Sequence, residues 1–363
     1  MARPGSPIRV LVVDDSALAR DMVSAILSCD PGLRVIGQAA DGAEAVAMAA
    51  ALKPDIVTMD IEMPVMDGLT AFERIMAASP IPILVVTSQT GVRTAFAAVS
   101  KGALDVVEKP DLDMANGVKL INKIKFLAAV DVVAHHKASS FAPGSGPAGA
   151  PGPARPSPEP APAVLAAPAG AARAKRIVAI ASSTGGPKAL QQILASLPGA
   201  FPVPVVVSQH VASGFANGMA EWLNSGTPLQ VSTAREGDVL APGRVYLNPS
   251  DFSMRITARE TVQLCAETAG QTYHPSCDAM LESVAAVYGR EAVGAILTGM
   301  GDDGVAGMRA IKAAGGATLA QDEHSSIVFG MNGVAVKQGC IDQVLPLHEF
   351  PAELLRLVAT KVR

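Results

Sequence analysis

The sequence has few aromatic residues and only four cysteines, and both shortages exclude classes of protein. Aromatic residues make up 4% of the 363 residues while hydrophobic residues make up 49%, so the cores must be built from Ala, Val, Leu and Ile. The cysteines are far apart and form no Cys-x-x-Cys pair, which argues against a zinc-finger site or a disulfide framework. Reduced, buried thiols are therefore expected.

Long apolar runs and an excess of charge of one sign are also missing. No stretch of eighteen uninterrupted apolar residues occurs, and the N-terminus has no charged-then-apolar signal segment. The formal net charge of −4 gives no reason to expect nucleic acid or an anionic membrane as a partner. We therefore expect a cytoplasmic protein that is not inserted into a membrane.

A proline-rich segment divides the chain. Residues 137–175 are rich in Pro, Ala, Gly and Ser and lack the periodic apolar positions that a core needs, which predicts an extended, solvated linker. The sequence thus predicts an N-terminal domain over 6–133 and a C-terminal domain over 176–363.

Polar side chains follow four short apolar runs of the N-terminal domain. They are Asp14 and Asp15 after the first run, Asp60 after the second, Thr87 after the third and Lys109 after the fourth. Near-continuous Val/Ile/Leu runs are typical of parallel strands buried on both faces, and open α/β sheets place their chemistry at the carboxyl ends of such strands. These side chains are therefore expected to meet at one edge of a parallel sheet.

Three carboxylates at one place favour a hard cation, and Mg²⁺ suits them because it takes oxygen ligands. Taken singly, a strand-terminal Asp is often only a helix N-cap, and a lone Lys is usually a surface charge. The carboxylates Asp14, Asp15 and Asp60, together with Thr87 and Lys109, suit one task, which is to accept and hold a phosphoryl group on Asp60.

The C-terminal domain alternates strands and helices, which predicts a second doubly wound sheet. Its first strand, Ile177 to Ala181, runs into Ser-Ser-Thr-Gly-Gly-Pro and then a helical stripe of apolar residues from Leu190 to Leu197. Residues 239–264 instead show short alternating runs with turn signals, which favours an antiparallel hairpin insert.

Placing these elements puts Ser183, His210 and Asp303 each after the carboxyl end of a strand, where a nucleophile, a base and an orienting carboxylate can converge for acyl transfer. The pattern alone does not choose Ser183 over Ser182, or Asp303 over Asp302. A strand, a glycine-rich turn and a helix also make an ordinary phosphate or nucleotide site, with the serine merely capping the helix.

The N-terminal domain resembles a two-component receiver, on the order of its Asp-Asp, Asp, Thr and Lys and on Asp-Ile-Glu-Met-Pro-Val-Met-Asp-Gly around Asp60. The C-terminal domain resembles the catalytic domain of the CheB family of chemotaxis protein-glutamate methylesterases. The matching segments are Ala-Ser-Ser-Thr-Gly-Gly-Pro at 181–187, Gln-His at 209–210, His-Pro-Ser-Cys-Asp at 274–278, Leu-Thr-Gly-Met-Gly-Asp-Asp-Gly at 297–304 and Ala-Gln-Asp-Glu-x-x-Ser-x-Val-Phe-Gly-Met at 320–331.

The resemblance implies a fold and a function. The fold is a flavodoxin-like, doubly wound receiver followed by a doubly wound α/β methylesterase domain. The function is a phosphorylation-activated serine hydrolase that removes methyl esters from glutamates, and deamidates glutamines, on the cytoplasmic helices of chemoreceptors. A histidine kinase is the implied phosphodonor, Mg²⁺ the cofactor of receiver phosphorylation, and the esterase chemistry needs none.

The resemblance also resolves the residue choices. The nucleophile is the serine directly before Thr-Gly-Gly, Ser183, and the carboxylate is Asp303. The backbone of Met300 is implied in the oxyanion hole. Two departures are His274-Pro-Ser-Cys-Asp, where the family usually has Arg-Pro-Ser-Val-Asp, and Asn332, where it usually has Pro.

Three other functions compete with this one. A DNA-binding output is disfavoured because residues 176–363 hold 13 Lys and Arg against 16 Asp and Glu, with no basic stripe. A CheB-like output that acts in a non-chemotaxis receptor pathway stays open as the alternative. A non-catalytic adaptor also stays open, although an intact Ser183, His210 and Asp303 set argues against it.

Overall fold

A computed structural model describes residues 6–88, 91–110, 114–130, 176–266, 273 and 275–359. The predicted linker at 137–175 and the departure at His274 lie outside these residues.

The N-terminal domain is a five-stranded parallel sheet in the order β2-β1-β3-β4-β5, with five helices. Its strands are β1 (Ile8–Val13), β2 (Leu33–Ala39), β3 (Ile56–Met59), β4 (Ile83–Thr87) and β5 (Asp105–Glu108). Its helices are α1 (Ala17–Ser28), α2 (Gly42–Leu52), α3 (Gly68–Ala78), α4 (Val92–Ser100) and α5 (Met114–Leu127).

The apolar runs of this domain become its central strands. All residues of β3 and β4 are buried, as expected for parallel strands with helices on both faces. Val13 pairs with Met59, so Asp14 and Asp60 leave adjacent strands at the same edge. The predicted receiver fold is confirmed.

The C-terminal domain is a seven-stranded parallel sheet in the order β14-β13-β12-β6-β7-β9-β8, with a separate antiparallel pair β10-β11. Its strands are β6 (Ile177–Ser182), β7 (Val205–Gln209), β8 (Gln230–Thr233), β9 (Arg244–Leu247), β10 (Ser253–Ile256), β11 (Val262–Cys265), β12 (Ala292–Ile296), β13 (Ala317–Gln321) and β14 (Gln343–Leu345). Its helices are α6 (Gly186–Ala195), α7 (Phe215–Ser225), α8 (Cys277–Tyr288), α9 (Val305–Ala313), α10 (Met331–Lys337) and α11 (Phe350–Val358), and short 3-10 turns occur at Gly289–Glu291 and Leu347–Glu349.

The hairpin predicted over 239–264 forms only in part. Strands β10 and β11 make the antiparallel hairpin, whereas β9 lies in the main sheet, parallel to β7 and β8. Val245, Tyr246 and Leu247 of β9 are all buried, so this strand is an interior one whose apolar side chains are covered on both faces.

Strand β6 shows why the sheet is doubly wound. Val178 and Ile180 pack into one apolar cluster with α6 and α7, while Ala179 and Ala181 pack into a second cluster with α8 and α9. Successive side chains of a strand point to opposite faces, so an all-apolar strand needs helices on both.

The two domains contact each other through α4 and α7. The rings of Phe96 and Trp222 stack with centroids 5.5 Å apart, and Arg93 lies 3.6 Å from Glu221. Ile327 of the C-terminal domain packs against the core of the N-terminal domain. Within the described ranges, no helix combines the length and the apolar character that crossing a membrane requires.

Candidate active site and phosphoacceptor site

Ser183 lies in the turn that joins β6 to α6. Gly185 and Gly186 in this turn have no room for a side chain, since a Cβ on Gly186 would lie 2.0 Å from Oε1 of Gln209. Ser182 is fully buried and donates its hydroxyl hydrogen to the same oxygen at 2.6 Å. Its hydroxyl is therefore occupied inside the protein, which favours Ser183 as the nucleophile.

Gln209 holds the Ser183 turn and His210 together. Its side-chain amide donates to the backbone oxygens of Ser183 and of His210, each at 2.8 Å. Its backbone N–H donates to Asn248 at 2.8 Å. In the sequence, Gln209 stands out only as part of the Gln-His pair, and no residue spacing indicates this bridging contact.

His210 and Asp303 form a close pair, with 2.7 Å between Nε2 and Oδ2. The carboxylate of Asp303 also accepts hydrogen bonds from the backbone amides of Cys277 at 2.7 Å and Asp278 at 2.9 Å, and from the Ser276 hydroxyl at 3.3 Å. These donors form the N-terminus of α8, where backbone N–H groups and the helix dipole favour an anion.

The surroundings of Asp303 keep it ionised. Burial alone would raise the pKa of Asp303, but the hydrogen bonds from His210 and from the two α8 amides outweigh it, so the pKa lies below its usual value. Asp302, by contrast, accepts a hydrogen bond from the Tyr273 hydroxyl at 3.1 Å, and Asp303 alone of the two contacts His210.

The contact between His210 and Asp303 fixes the role of each ring nitrogen. Because Nε2 donates to Asp303, the neutral imidazole leaves Nδ1 as its acceptor for a nucleophile. Among the described residues, the hydroxyl of Ser183 forms no hydrogen bond with His210. Such bonds are often long in unliganded enzymes and tighten when substrate binds.

Tyr273 is a site residue that the sequence did not predict. Its ring stacks on His210 with centroids 5.5 Å apart and planes 2° from parallel. Gly301 has φ +89°, and a Cβ there would lie 2.5 Å from the Tyr273 hydroxyl oxygen. No pattern in the sequence marked Tyr273, because neither the stacking of its ring on His210 nor its contact with Asp302 follows from residue spacing.

Met300 follows Gly299, which approaches Ser183 closely. A Cβ on Gly299 would lie 2.7 Å from Cβ of Ser183, so only glycine permits this approach. The Gly299 amide donates to Val328, while the Met300 amide donates to no group in the part of the chain that the structure describes. That amide is thus available to an anion.

In the N-terminal domain, Asp60 and Lys109 form the centre of the candidate phosphoacceptor site. Nζ of Lys109 lies 2.8 Å from Oδ2 of both Asp60 and Asp14. Burial would lower the pKa of Lys109, but the hydrogen bonds with the two carboxylates outweigh it and the pKa is raised. Burial raises the pKa of Asp14 above its usual value, since it outweighs the opposing bond from Lys109.

Two observations fit this site to a cation and a phosphoryl group. Asp14, Asp15 and Asp60 each offer a carboxylate oxygen within 4.8 Å of the others, a donor set that suits Mg²⁺. The hydroxyl of Thr87 is fully buried and has no hydrogen-bond partner among the residues that the structure describes, as expected for a group that awaits an acceptor.

Asn332 has a role that proline could not fill. Its side chain is fully buried, and its Nδ2 donates to the backbone oxygen of Gln321 at 2.9 Å and to the Ser326 hydroxyl at 2.8 Å. It thereby ties the loop after β13 to α10, at the base of the segment that contains Ile327.

Models of two protein families match the chain. The CheB methylesterase family matches residues 178–354, and the response regulator receiver domain matches residues 10–125. A protein-glutamate methylesterase/protein-glutamine glutaminase of Paramagnetospirillum magneticum is 47% identical over 356 residues, which cover 98% of this chain and 97% of the relative. The chain belongs to the CheB methylesterase family.

Further likeness supports this assignment. A relative of the same name from Anaeromyxobacter dehalogenans is 43% identical over 354 residues, covering 97% of each chain. The crystal structure of the Thermotoga maritima CheB methylesterase catalytic domain matches with a TM-score of 0.50 and 37% identity, covering 51% of this chain and all of that one. The predictions of family, of fold class and of a hydrolase are confirmed.

Proposed function

We propose that this CheB-family chain is a serine hydrolase that removes methyl esters from glutamates, and deamidates glutamines, on the cytoplasmic helices of chemoreceptors. The observation that carries the proposal is the His210–Asp303 pair, with Ser183 in the neighbouring glycine-rich turn. The names of the curated relatives supply the substrate group, a glutamate ester or a glutamine amide. Receptors as substrates place the protein in the cytoplasm.

The first chemical step is acylation. Ser183 Oγ attacks the γ-carbonyl carbon, and Nδ1 of His210 takes its proton while Asp303 holds Nε2–H. The negative charge that develops on the carbonyl oxygen is stabilised by the amide of Met300 and by amides at the start of α6. His210 then gives its proton to the leaving group, which departs as methanol from an ester or as ammonia from an amide.

The second step restores the serine. A water molecule loses a proton to Nδ1 of His210 and attacks the glutamyl ester on Ser183, and collapse releases the glutamate side chain and returns the proton to Oγ. The buried Asp303 stabilises the imidazolium in both steps. Throughout, it stays ionised because α8 supplies hydrogen bonds that do not depend on the reaction. All of this chemistry runs on side chains and amides.

The receiver supplies the regulation. A histidine kinase transfers a phosphoryl group to Asp60. Asp14, Asp15 and Asp60 would hold Mg²⁺, which would neutralise negative charge on the phosphoryl group. The phosphorylated side chain then draws Lys109 and the buried hydroxyl of Thr87 towards it. Thr87 ends β4, and its hydroxyl lies against Gly91, the residue before α4, since a Cβ there would be 2.4 Å from Oγ1 of Thr87. Movement of Thr87 therefore reaches the helix that contacts the C-terminal domain.

Contacts between the domains support an inhibited, closed state. Ser183 is only 8% exposed, which leaves little access for a helical substrate. Ile327 packs against the receiver core and also lies against the nucleophile turn, since a Cβ on Gly185 would be 2.8 Å from Cβ of Ile327. Loosening of the α4–α7 contact on phosphorylation would therefore uncover the site.

A direct test incubates the purified protein with methyl-labelled chemoreceptor membranes, with and without a small phosphodonor and Mg²⁺. Methanol release that rises with phosphodonor and disappears in Ser183→Ala is expected. Release that persists in Ser183→Ala would refute the nucleophile, and the absence of release from the wild type under both conditions would refute the substrate. The same assay separates the proposed function from both alternatives, because neither a non-catalytic adaptor nor an enzyme of another pathway releases methanol from chemoreceptors.

A further inference from the structure

The thiol of Cys277 lies inside the candidate active site. Its Sγ is 3.6 Å from Nε2 of His210 and 3.5 Å from the backbone oxygen of Ser208, and the residue is fully buried. The family usually has Val at this position. The Cys277 side chain has no part in the proposed hydrolysis, since only its backbone amide contacts Asp303.

One donor atom from each of His210, Cys277 and Asp303 lies within 4.8 Å of the other two. Imidazole nitrogen, thiolate sulfur and carboxylate oxygen are the ligand types of zinc sites, and three protein ligands leave one position open. Tetrahedral zinc with ordinary bond lengths needs about 3.6 Å between its nitrogen and sulfur ligands. The separation of Sγ and Nε2 already has this value.

Binding of the metal by Asp303 as the third ligand requires a small movement of His210. The same geometry requires about 3.4 Å between the nitrogen and oxygen ligands, whereas Nε2 and Oδ2 are 2.7 Å apart. The two groups must therefore separate by roughly 0.7 Å, a shift that a partly exposed histidine can make by rotating its ring. Asp303 can stay in place, because the α8 amides hold it.

We propose that Cys277, His210 and Asp303 form an inhibitory site for a soft divalent cation of the zinc class. The proposal rests on the proposed catalytic roles of His210 and Asp303 and adds a mode of regulation to them. Cys277 makes the site selective, because a thiolate favours zinc over the Mg²⁺ that the receiver uses.

The effect of a bound metal on catalysis follows from the protons of Cys277 and His210. Metal binding releases the thiol proton of Cys277 to solvent and occupies the lone pair of Nε2, so the single proton of the neutral imidazole moves to Nδ1. With a proton on Nδ1, His210 cannot accept one from Ser183, and acylation stops. Removal of the metal restores the original tautomer, so the inhibition is reversible.

Two features limit the affinity of this site. Burial raises the pKa of the Cys277 thiol well above its usual value, which makes its proton harder to displace. The hydrogen bond between His210 and Asp303 must also be given up. The site therefore responds to added metal and does not retain a structural ion.

The test for binding uses Co²⁺ as a spectroscopic substitute for zinc in the full-length protein. Wild type should show a thiolate-to-cobalt charge-transfer band that added Zn²⁺ removes. Cys277→Val, which has the residue usual in the family, and Cys277→Ser should both lack the band, while Cys265→Ser should keep it as the matched control. Cobalt at the receiver carboxylates has oxygen ligands only and gives no such band. A band that persists in both Cys277 variants, or is absent from wild type, overturns the site.

The test for inhibition measures esterase rates against zinc, each relative to the metal-free rate of the same variant. Loss of a direct ligand should lower the zinc affinity by more than the ~10–100-fold that changes to outer-shell partners cost. Half-inhibition of Cys277→Val should therefore need a zinc concentration more than about 10-fold higher than half-inhibition of wild type. Equal sensitivity of wild type and Cys277→Val overturns the inhibitory role. A protein that binds cobalt through Cys277 but has no esterase activity without metal would refute the proposed function and leave the metal site standing.

Discussion

Gly218 provides the sharpest test of the closed state. It lies in α7, and a Cβ at this position would lie 2.5 Å from Cγ1 and 3.2 Å from Cβ of Val92, the first residue of α4. Val92 is β-branched and has one strongly preferred rotamer in a helix, so it cannot easily turn away. Gly218→Ala must therefore push α4 and α7 apart.

The size of the shift that Gly218→Ala causes between closed and open states follows from two effects. Overpacking by a methyl group costs about 1–3 kcal/mol, and this cost applies only to the closed state. The gain of about 1 kcal/mol in helix propensity applies to both states and cancels. The equilibrium between closed and open states should thus shift by about 1–3 kcal/mol, which is roughly a 5- to 150-fold change in population.

The assay is the initial rate of methanol release from methyl-labelled receptor membranes by unphosphorylated, full-length protein. Gly218→Ala should be faster than wild type by that factor, up to the rate of a catalytic fragment that starts near Arg173. Gly226→Ala, at the end of the same helix, is the matched control and should not change the rate, because its Cβ would meet nothing closer than Nε2 of Gln191 at 3.5 Å.

The fragment separates opening from any direct effect on catalysis. It should be more active than the unphosphorylated full-length protein and indifferent to phosphodonor, and Gly218→Ala should leave its rate unchanged. An equal rate of Gly218→Ala and wild type at full length would contradict the closed state. A fragment slower than the intact protein would mean instead that the receiver helps to build the site.

Three further outcomes test the chemistry. Ser183→Ala should abolish methanol release with the fold intact, as judged by thermal unfolding. Ser182→Ala should lower the rate much less, because the Ser182 hydroxyl only contacts Gln209. An inactive Ser182→Ala together with an active Ser183→Ala would reverse the assignment of the nucleophile. Asp303→Asn should lower kcat by about 10⁴-fold by favouring the wrong imidazole tautomer, as in a serine protease, and a loss below ten-fold would contradict its role. Asp60→Asn should take no label from a phosphodonor, and chelation of Mg²⁺ should block labelling of wild type equally.

The strand pattern predicted most of the architecture. Runs such as Ile83 to Val86 are apolar at every position because helices cover both faces of the sheet, so their parallel pairing could be inferred before the fold was known. Polar residues at the ends of such runs had to meet at one edge. Strand β9 was harder, because four residues beside turn signals are equally typical of a hairpin.

The supports of the candidate site were not predictable from the sequence. The hydrogen bonds that hold the Asp303 carboxylate come from the backbone amides of Cys277 and Asp278, some 25 residues earlier in the chain. Nearly every residue type has a backbone amide, so such donors cannot be recognised from the sequence. The stacking of Tyr273 on His210 joins residues 63 positions apart and follows from no residue spacing. Which nitrogen of His210 faces Asp303 depends on the rotation of the ring, about which strand and helix periodicity says nothing.

The start of α8 connects the proposed catalysis with the proposed metal site. Its backbone amides hold Asp303 whatever the side chain at position 277, so a Val there would leave the orientation of His210 unchanged. The side chain itself points at Nε2, where a thiol can bind a metal and an aliphatic group cannot. Substitution at this position can therefore change the response to metal while the hydrogen bonds that position His210 and Asp303 stay the same.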